Sequence, residues 1–158
     1  MGQQQLLLIV LGVIIVGIAI AVGISMFKSN AVSSNRDQVI NDLNNLSAKA
    51  MEFWRKPTSM AGGGQSFAGF GLTVDDTLNG NGMYAISAIG GSYPTPSTTP
   101  GNYASSISTG AVGSAPADSF LVINGWGTEV GNDQLHKVEA FVIVSPTRSS
   151  QVKTTVVN

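Results

Sequence analysis

Leu6–Ile24 reads LLLIVLGVIIVGIAIAVGI, nineteen residues without a charged or strongly polar side chain. As an α-helix rising about 1.5 Å per residue it is roughly 28 Å long, close to the thickness of a bilayer's hydrocarbon core. Fourteen of the nineteen are Leu, Ile or Val; the others are Gly12, Gly17, Ala19, Ala21 and Gly23. A helix apolar on every side needs neighbours on every side. The remaining chain is too small to surround it, so the run reads as a rod standing apart from a separate head.

Four fates are open to such a rod. A cleaved secretory signal has a basic start and an apolar core of only about 7–15 residues, whereas Met1–Gln5 (MGQQQ) has no side-chain charge and the run is longer. A core helix of one small domain fails for lack of neighbours. A transmembrane anchor fits, since fourteen large aliphatics at ~0.3–0.6 kcal/mol each favour insertion by roughly 4–8 kcal/mol. A bundle of identical rods also fits. Gly12, Gly17, Ala19, Ala21 and Gly23 are low spots that let backbones approach, with Ala19 and Gly23 forming one small-xxx-small pair. Each glycine weakens the helix by about 1 kcal/mol relative to Ala. Close packing in a bundle gives that cost a return.

Around the rod the chain is weakly charged. Its 158 residues carry eight Lys and Arg against nine Asp and Glu, a formal net charge of −1, and only 11% are charged. Nucleic-acid binding needs a basic face and is excluded as a partner class. With no cysteine there is no disulfide, thiolate metal site or thiol nucleophile.

After the rod, Val32, Val39, Ile40, Leu43, Leu46, Ala50, Phe53 and Trp54 recur at helical spacing, and Arg36, Asp37, Asp42, Lys49, Glu52, Arg55 and Lys56 lie largely elsewhere around the helix. Pro57 stops it. Rod and amphipathic segment together predict one helix of about 50 residues, roughly 75 Å long, whose second half lies against the head. The poor helix formers of Ser29–Asn35 predict a kink or cap there, and Phe53 and Trp54 are expected to pack on the head. The organisation is an apolar helix over 1–28, an amphipathic helix over 29–56 and a β-rich head over 57–158.

In the head, Ala61–Gly71 reads as a flexible Gly-rich connector. Strands are expected at Phe70–Val74, Met83–Ile89, Ser119–Asn124, Leu135–Val144 and Gln151–Val157, from β-branched and aromatic runs bounded by Gly, Asn, Asp or Pro. The Asn79-Gly80-Asn81-Gly82 run predicts the turn between the first two, and the last three are expected to form a meander. The fold class is α+β, a long N-terminal helix with a small antiparallel sheet. Asp75–Gly80 has the beginning of a calcium loop but Ile86 where the bidentate glutamate belongs, so a turn held by Asx side chains is the better account. Ser97, Thr98 and Thr99 lie in a long Ser/Thr/Pro-rich stretch for which a plain solvated loop is the better account, although its composition is also that of an O-glycosylated stalk. His136 is the single histidine, no nucleophile motif or metal spacing accompanies it, and no catalytic residue, cofactor or metal is expected.

With its uncharged run Leu6–Ile24, Met1 ahead of it, an amphipathic continuation and a Gly-rich β head, the chain resembles a type IV pilin or pilin-like filament subunit. The resemblance is specific over the N-terminal third and architectural over the head. Gln5 stands where such subunits typically carry a glutamate. Gln3, Gln4 and Gln5 offer amide oxygens that accept from a neighbour's N-terminal ammonium at Met1, without a carboxylate's full charge; alternatively they are simply the interfacial end of an apolar helix. The resemblance implies a helical homopolymer on the cell surface, membrane-embedded before assembly, with partners limited to copies of itself, the inner membrane and a pilus assembly machinery. Assembly then rests on Met1, Gln3, Gln4, Gln5, Gly12, Ile14, Gly17, Ala19 and Gly23, with local unwinding expected at Gly17–Gly23. Lys28 and Arg36 follow the rod and alone would hold the head in the cytoplasm; a basic leader removed ahead of Met1 reverses that. The rival from another class is a monomeric single-pass membrane protein whose head binds a ligand or partner. A minor pilin-like component of a secretion apparatus shares the fold.

Overall fold

The computed structural model describes residues 2–89, 120–131, 135–146 and 152–157. One helix, α1, runs unbroken from Gly2 to Arg55; its 54 residues span about 81 Å at 1.5 Å each. The chain then makes a 3₁₀ turn at Thr58–Met60, a one-turn helix α2 at Val74–Thr77, and four strands: β1 (Gly82–Ile89), β2 (Leu121–Val130), β3 (Lys137–Val144) and β4 (Val152–Val156). The strands form one antiparallel sheet in chain order. The fold is α+β, and its last three strands are the expected meander.

Every residue from Gly2 to Asn30 is exposed. Burial begins at Val32 and continues through Asn35, Val39, Leu43, Leu46, Ser47, Ala50 and Met51, a stripe at intervals of three and four. That stripe lies on one face of the sheet, against Tyr84, Ile86, Leu121, Ile123, Ala140, Val142 and Val144. The opposite face carries a second cluster, Phe120, Val122, Phe141 and Ile143, with Val157 beside it. Both faces of β3 are therefore apolar, which is why it reads as a continuous hydrophobic run rather than an alternating one.

Several expectations are corrected. Ser29–Asn35 caps nothing and continues the helix; Gly17–Gly23 is helical in the single chain, and the unwinding expected there concerns the assembled state. Low propensity costs tenths of a kcal/mol per Ser or Asn, and Asn35 is retained because its side chain docks the head. Phe70–Val74 is not a strand. Phe70 is a buried core residue, and Thr73 caps α2, its hydroxyl accepting from the Asp76 N–H at 3.3 Å. Ala61–Gly71 is no loose connector. The N–H groups of Gly63 and Gln65 donate to free carbonyls at the end of α1, Phe53 and Trp54, and that of Gly64 to Lys56 just beyond it. Phe67 is fully buried and Phe70 stacks at a tilt on Phe53, centroids 5.4 Å apart.

The Asn79–Gly82 turn forms, but between α2 and β1, where it closes a bridge from Leu78 to Met83. Its shape comes from the Asn79 side-chain oxygen, which accepts from the Asn81 and Gly82 N–H groups at 2.9 and 3.1 Å.

β2 is longer than expected because Gly125-Trp126-Gly127, which looks like a stop, continues the strand. Both glycines face α1. A Cβ on Gly125 would stand 3.0 Å from Val39 Cγ1, and one on Gly127 would fall on Asn35 Oδ1. Gly127→Ala is therefore expected to push the helix off the sheet and destabilise the head by about 1–3 kcal/mol. Chemical denaturation of the two proteins checks this, and an unchanged midpoint would show that the approach is not tight.

Candidate functional site

Two surfaces stand out: the exposed rod, and the polar seam that fixes the rod to the head. On the rod all fourteen large aliphatics of Leu6–Ile24 are between 49% and 69% exposed. The chain offers this helix no neighbour among the described residues, and it is long and apolar enough to cross a membrane. Gln3, Gln4 and Gln5 are exposed at its start, and a Cβ at Gly12, Gly17 or Gly23 would meet nothing within 4 Å.

Because α1 is continuous, the phase of its two halves can be compared. At about 100° per residue, Gly12, Ala19 and Gly23 fall on one side of the rod. That side is roughly half a turn from the stripe Val32–Ala50 that touches the sheet. Gly17 and Ala21 lie on the head's own side, as does Ile14. The rod is thus indented on two opposing faces, with the Gly12–Ala19–Gly23 face turned away from the head.

The seam uses polar residues at the margins of the buried stripe. Asp42 is its hub. One carboxylate oxygen accepts from the Tyr84 hydroxyl at 2.7 Å and from the side-chain amides of Asn79 and Asn81, both at 2.9 Å. Burial alone raises the pKa of this carboxyl, but the donors from Asn81, Tyr84 and Asn79 together outweigh it and hold the group below its ordinary value. Tyr84 moves the other way: burial, and then the hydrogen bond to and charge of Asp42, keep its hydroxyl protonated.

Nearer the rod, the Asn35 amide donates to Asn81 O at 2.9 Å and Thr128 Oγ1 at 3.3 Å, and its oxygen accepts from the Glu129 N–H. Further along, Thr154 Oγ1 donates to Asn44 Oδ1 at 2.9 Å, and Lys49 Nζ meets Asp76 Oδ1 at 2.6 Å. The lysine holds the Asp76 carboxyl below its usual range. Four ties spread along α1 fix the direction in which the rod leaves the head.

Sequence reasoning missed this seam. Asp42 sits 37 to 42 residues from its partners, and no local pattern joins them. The available signal was its position at the edge of the apolar stripe, opposite an Asn-Gly-Asn-Gly turn rich in amide donors. A third feature was also missed. A groove of about 480 Å³ opens across one end of the sheet, lined in part by Leu78, Met83, Trp126, Thr128, Leu135 and Lys137.

Met1 and the three residues of the candidate glycan loop, Ser97, Thr98 and Thr99, lie outside the described residues. The architecture, a long apolar helix followed by a small antiparallel sheet, is pilin-like. No known protein family, curated protein or solved structure matches the chain.

Proposed function

We propose that this protein is the structural subunit of an extracellular type IV pilus-like filament, polymerising by bundling its N-terminal rods with the heads outside. The observation that carries the reading is the rod itself: some thirty consecutive exposed helical residues, apolar on every side over Leu6–Ile24, continuous with the helix that docks the head. Gross burial of fourteen large aliphatics at ~1.5–3 kcal/mol each is roughly 20–40 kcal/mol relative to water. A bilayer already satisfies most of that, so the drive from membrane to filament is the smaller term from close packing and head contacts. The phase of the rod supports a specific arrangement. With heads outward, the Gly12–Ala19–Gly23 face turns to the filament axis, where rods crowd most. Gln3–Gln5 are the polar end that meets a neighbour's terminus.

The groove beside Trp126 favours a second reading, a single-pass membrane protein whose head takes a partner. Negative-stain electron microscopy separates the two. Material sheared from the cell surface is expected to show uniform thin filaments made of this chain. Protein found only as detergent-wrapped monomers, with no fibres in the sheared fraction, would overturn the filament and leave the anchored module.

A further inference from the structure

The chain holds three Asn-Gly pairs, Asn79-Gly80, Asn81-Gly82 and Asn124-Gly125. Asparagine before glycine is open to self-modification, because the glycine nitrogen can close a five-membered ring on the side-chain carbonyl carbon and no Cβ obstructs it. The three pairs lie in different surroundings. Asn124 is fully buried, and Gly125 sits in mid-strand, paired with Tyr84 on one side and Ala140 on the other. The Gly82 N–H, whose nitrogen would attack Asn81, donates to Asn79 Oδ1 at 3.1 Å, and Gly82 opens β1 opposite Gly127. Gly80 is different. It is exposed, it lies outside any helix or strand, and its N–H makes no hydrogen bond among the described residues. The nucleophile beside Asn79 is therefore unengaged.

The carbonyl to be attacked is activated by the turn itself. Asn79 Oδ1 accepts from the Asn81 N–H at 2.9 Å and the Gly82 N–H at 3.1 Å. Attack at Cγ puts developing negative charge on that oxygen. The two N–H groups that shape the turn thus stand where the donors of an oxyanion hole stand, about 2.7–3.1 Å away. At the other end of the amide, Asn79 Nδ2 donates to Asp42 Oδ2 at 2.9 Å. The side chain is held at both ends, so its carbonyl stays on its donors and ring closure needs no second molecule to be brought up.

We propose that Asn79 is a self-modification site that ages the joint between head and rod. The Gly80 nitrogen bonds to Asn79 Cγ, the Cγ–Nδ2 bond breaks, and ammonia leaves with the proton shed by the Gly80 nitrogen. The succinimide ring that remains takes up water and opens to aspartate, or to isoaspartate, whose backbone runs through Cγ. Water is the sole co-reactant. Asp42 Oδ2, which accepts from Tyr84, Asn79 and Asn81, then loses one donor and faces a second carboxylate in its place. Isoaspartate also lengthens the backbone of the turn that carries Asn81, whose carbonyl accepts from the Asn35 amide. Two of the four ties along α1 loosen together. The inference rests on the geometry of the seam, and on neither the filament nor the membrane reading.

The full chain in detergent is incubated at mildly alkaline pH, both folded and in denaturant, and fragmentation mass spectrometry reads the conversion of each asparagine. In denaturant the three pairs are expected to convert at similar rates. In the folded chain Asn79 is expected to convert at least about tenfold faster than Asn81, whose attacking N–H must first leave its acceptor, and at least as fast as it does in denaturant. Asn124 is expected to stay intact. Gly80→Ala, at a position where a Cβ meets nothing within 4 Å, is expected to slow conversion at 79 and leave the denaturation midpoint unchanged. Conversion at 79 that is no faster than at 81, or slower folded than in denaturant, overturns the proposal, because the turn then protects Asn79. Asn79→Asp reproduces one product and is expected to lower the midpoint, with Asp42→Asn beside it restoring part of the loss. A midpoint equal to that of wild type would show that the joint does not register the new carboxylate, and would overturn the ageing of the seam.

Discussion

Ile14→Lys is expected to abolish filaments while leaving the head folded. Ile14 is half-exposed in the single chain and lies far along the rod from the first head contact at Val32, so the sheet does not register the change. In an apolar bundle or a bilayer centre, replacing Ile by Lys costs about 3–4 kcal/mol on the insertion scale. A penalty of that size falls on insertion, and at 1.4 kcal/mol per decade it lowers the inserted pool that feeds assembly by more than about a hundredfold. The position makes the test severe. Ile14 shares the head's side of the helix, away from the Gly12–Ala19–Gly23 face. An assembly in which rods touch only through that smooth face would tolerate a lysine there, whereas one that wraps the rod completely would not. Two fractions are measured, membranes for insertion and sheared surface material for filaments. Ile14→Asn accompanies it, as an uncharged variant that keeps the test decisive if the lysine blocks insertion. Wild-type yields of normal filaments from both variants would remove the rod from the assembly interface.

The rod was legible because its signal is one-dimensional: an unbroken apolar run and a stripe of period 3.6 survive any tertiary context. The same holds for Met83–Ile89, Leu135–Val144 and Gln151–Val157, whose β-branched runs became β1, β3 and β4 with bounds shifted by one or two residues. The errors share one cause. Phe70–Val74 has strand composition, but Phe70 is apolar to fill the core under Phe53, and Thr73 is there to cap α2; the Thr-x-x-Asp spacing from Thr73 to Asp76 was the local clue. Gly125 and Gly127 look like strand terminators, yet they are small because a helix lies on them. The Ala61–Gly71 glycines look like a linker, yet their N–H groups terminate α1. Apart from Thr73, whose partner Asp76 is three residues on, residue identity answers a neighbour elsewhere in the chain, which composition cannot name. The seam is the extreme instance, since Asp42, Asn79, Asn81 and Tyr84 have no common local pattern.

That seam determines what the head does when the rod is held. In the proposed filament, force on a head would reach its rod through this seam, and the core contacts Val39, Leu43 and Leu46 are slippery in the sense that apolar packing does not fix a direction. Hydrogen bonds do. Asp42→Ala is expected to destabilise the head by about 2–3 kcal/mol, because the Tyr84 hydroxyl, almost wholly buried, loses its charged acceptor, while the amides of Asn79 and Asn81 recover water at little cost. Tyr84→Phe removes the donor instead and is expected to cost about 1 kcal/mol, since Asp42 keeps two amide donors. The double variant should then be less destabilised than the sum of the two. Additivity to within about 0.3–0.5 kcal/mol would mean that the pair is not coupled. The pH dependence follows from the direction of the shift. The folded carboxyl lies below its ordinary value of 3.8, so its contribution is complete above that value and is lost as the pH falls through the folded pKa. Asp76, held down by Lys49, behaves alike. Near-UV dichroism of the full chain in detergent should show stability falling on acidification below about pH 4, and less steeply in Asp42→Ala than in wild type. Parallel acid profiles would place the sensitive carboxylate elsewhere and leave Asp42 as a neutral bystander at the joint.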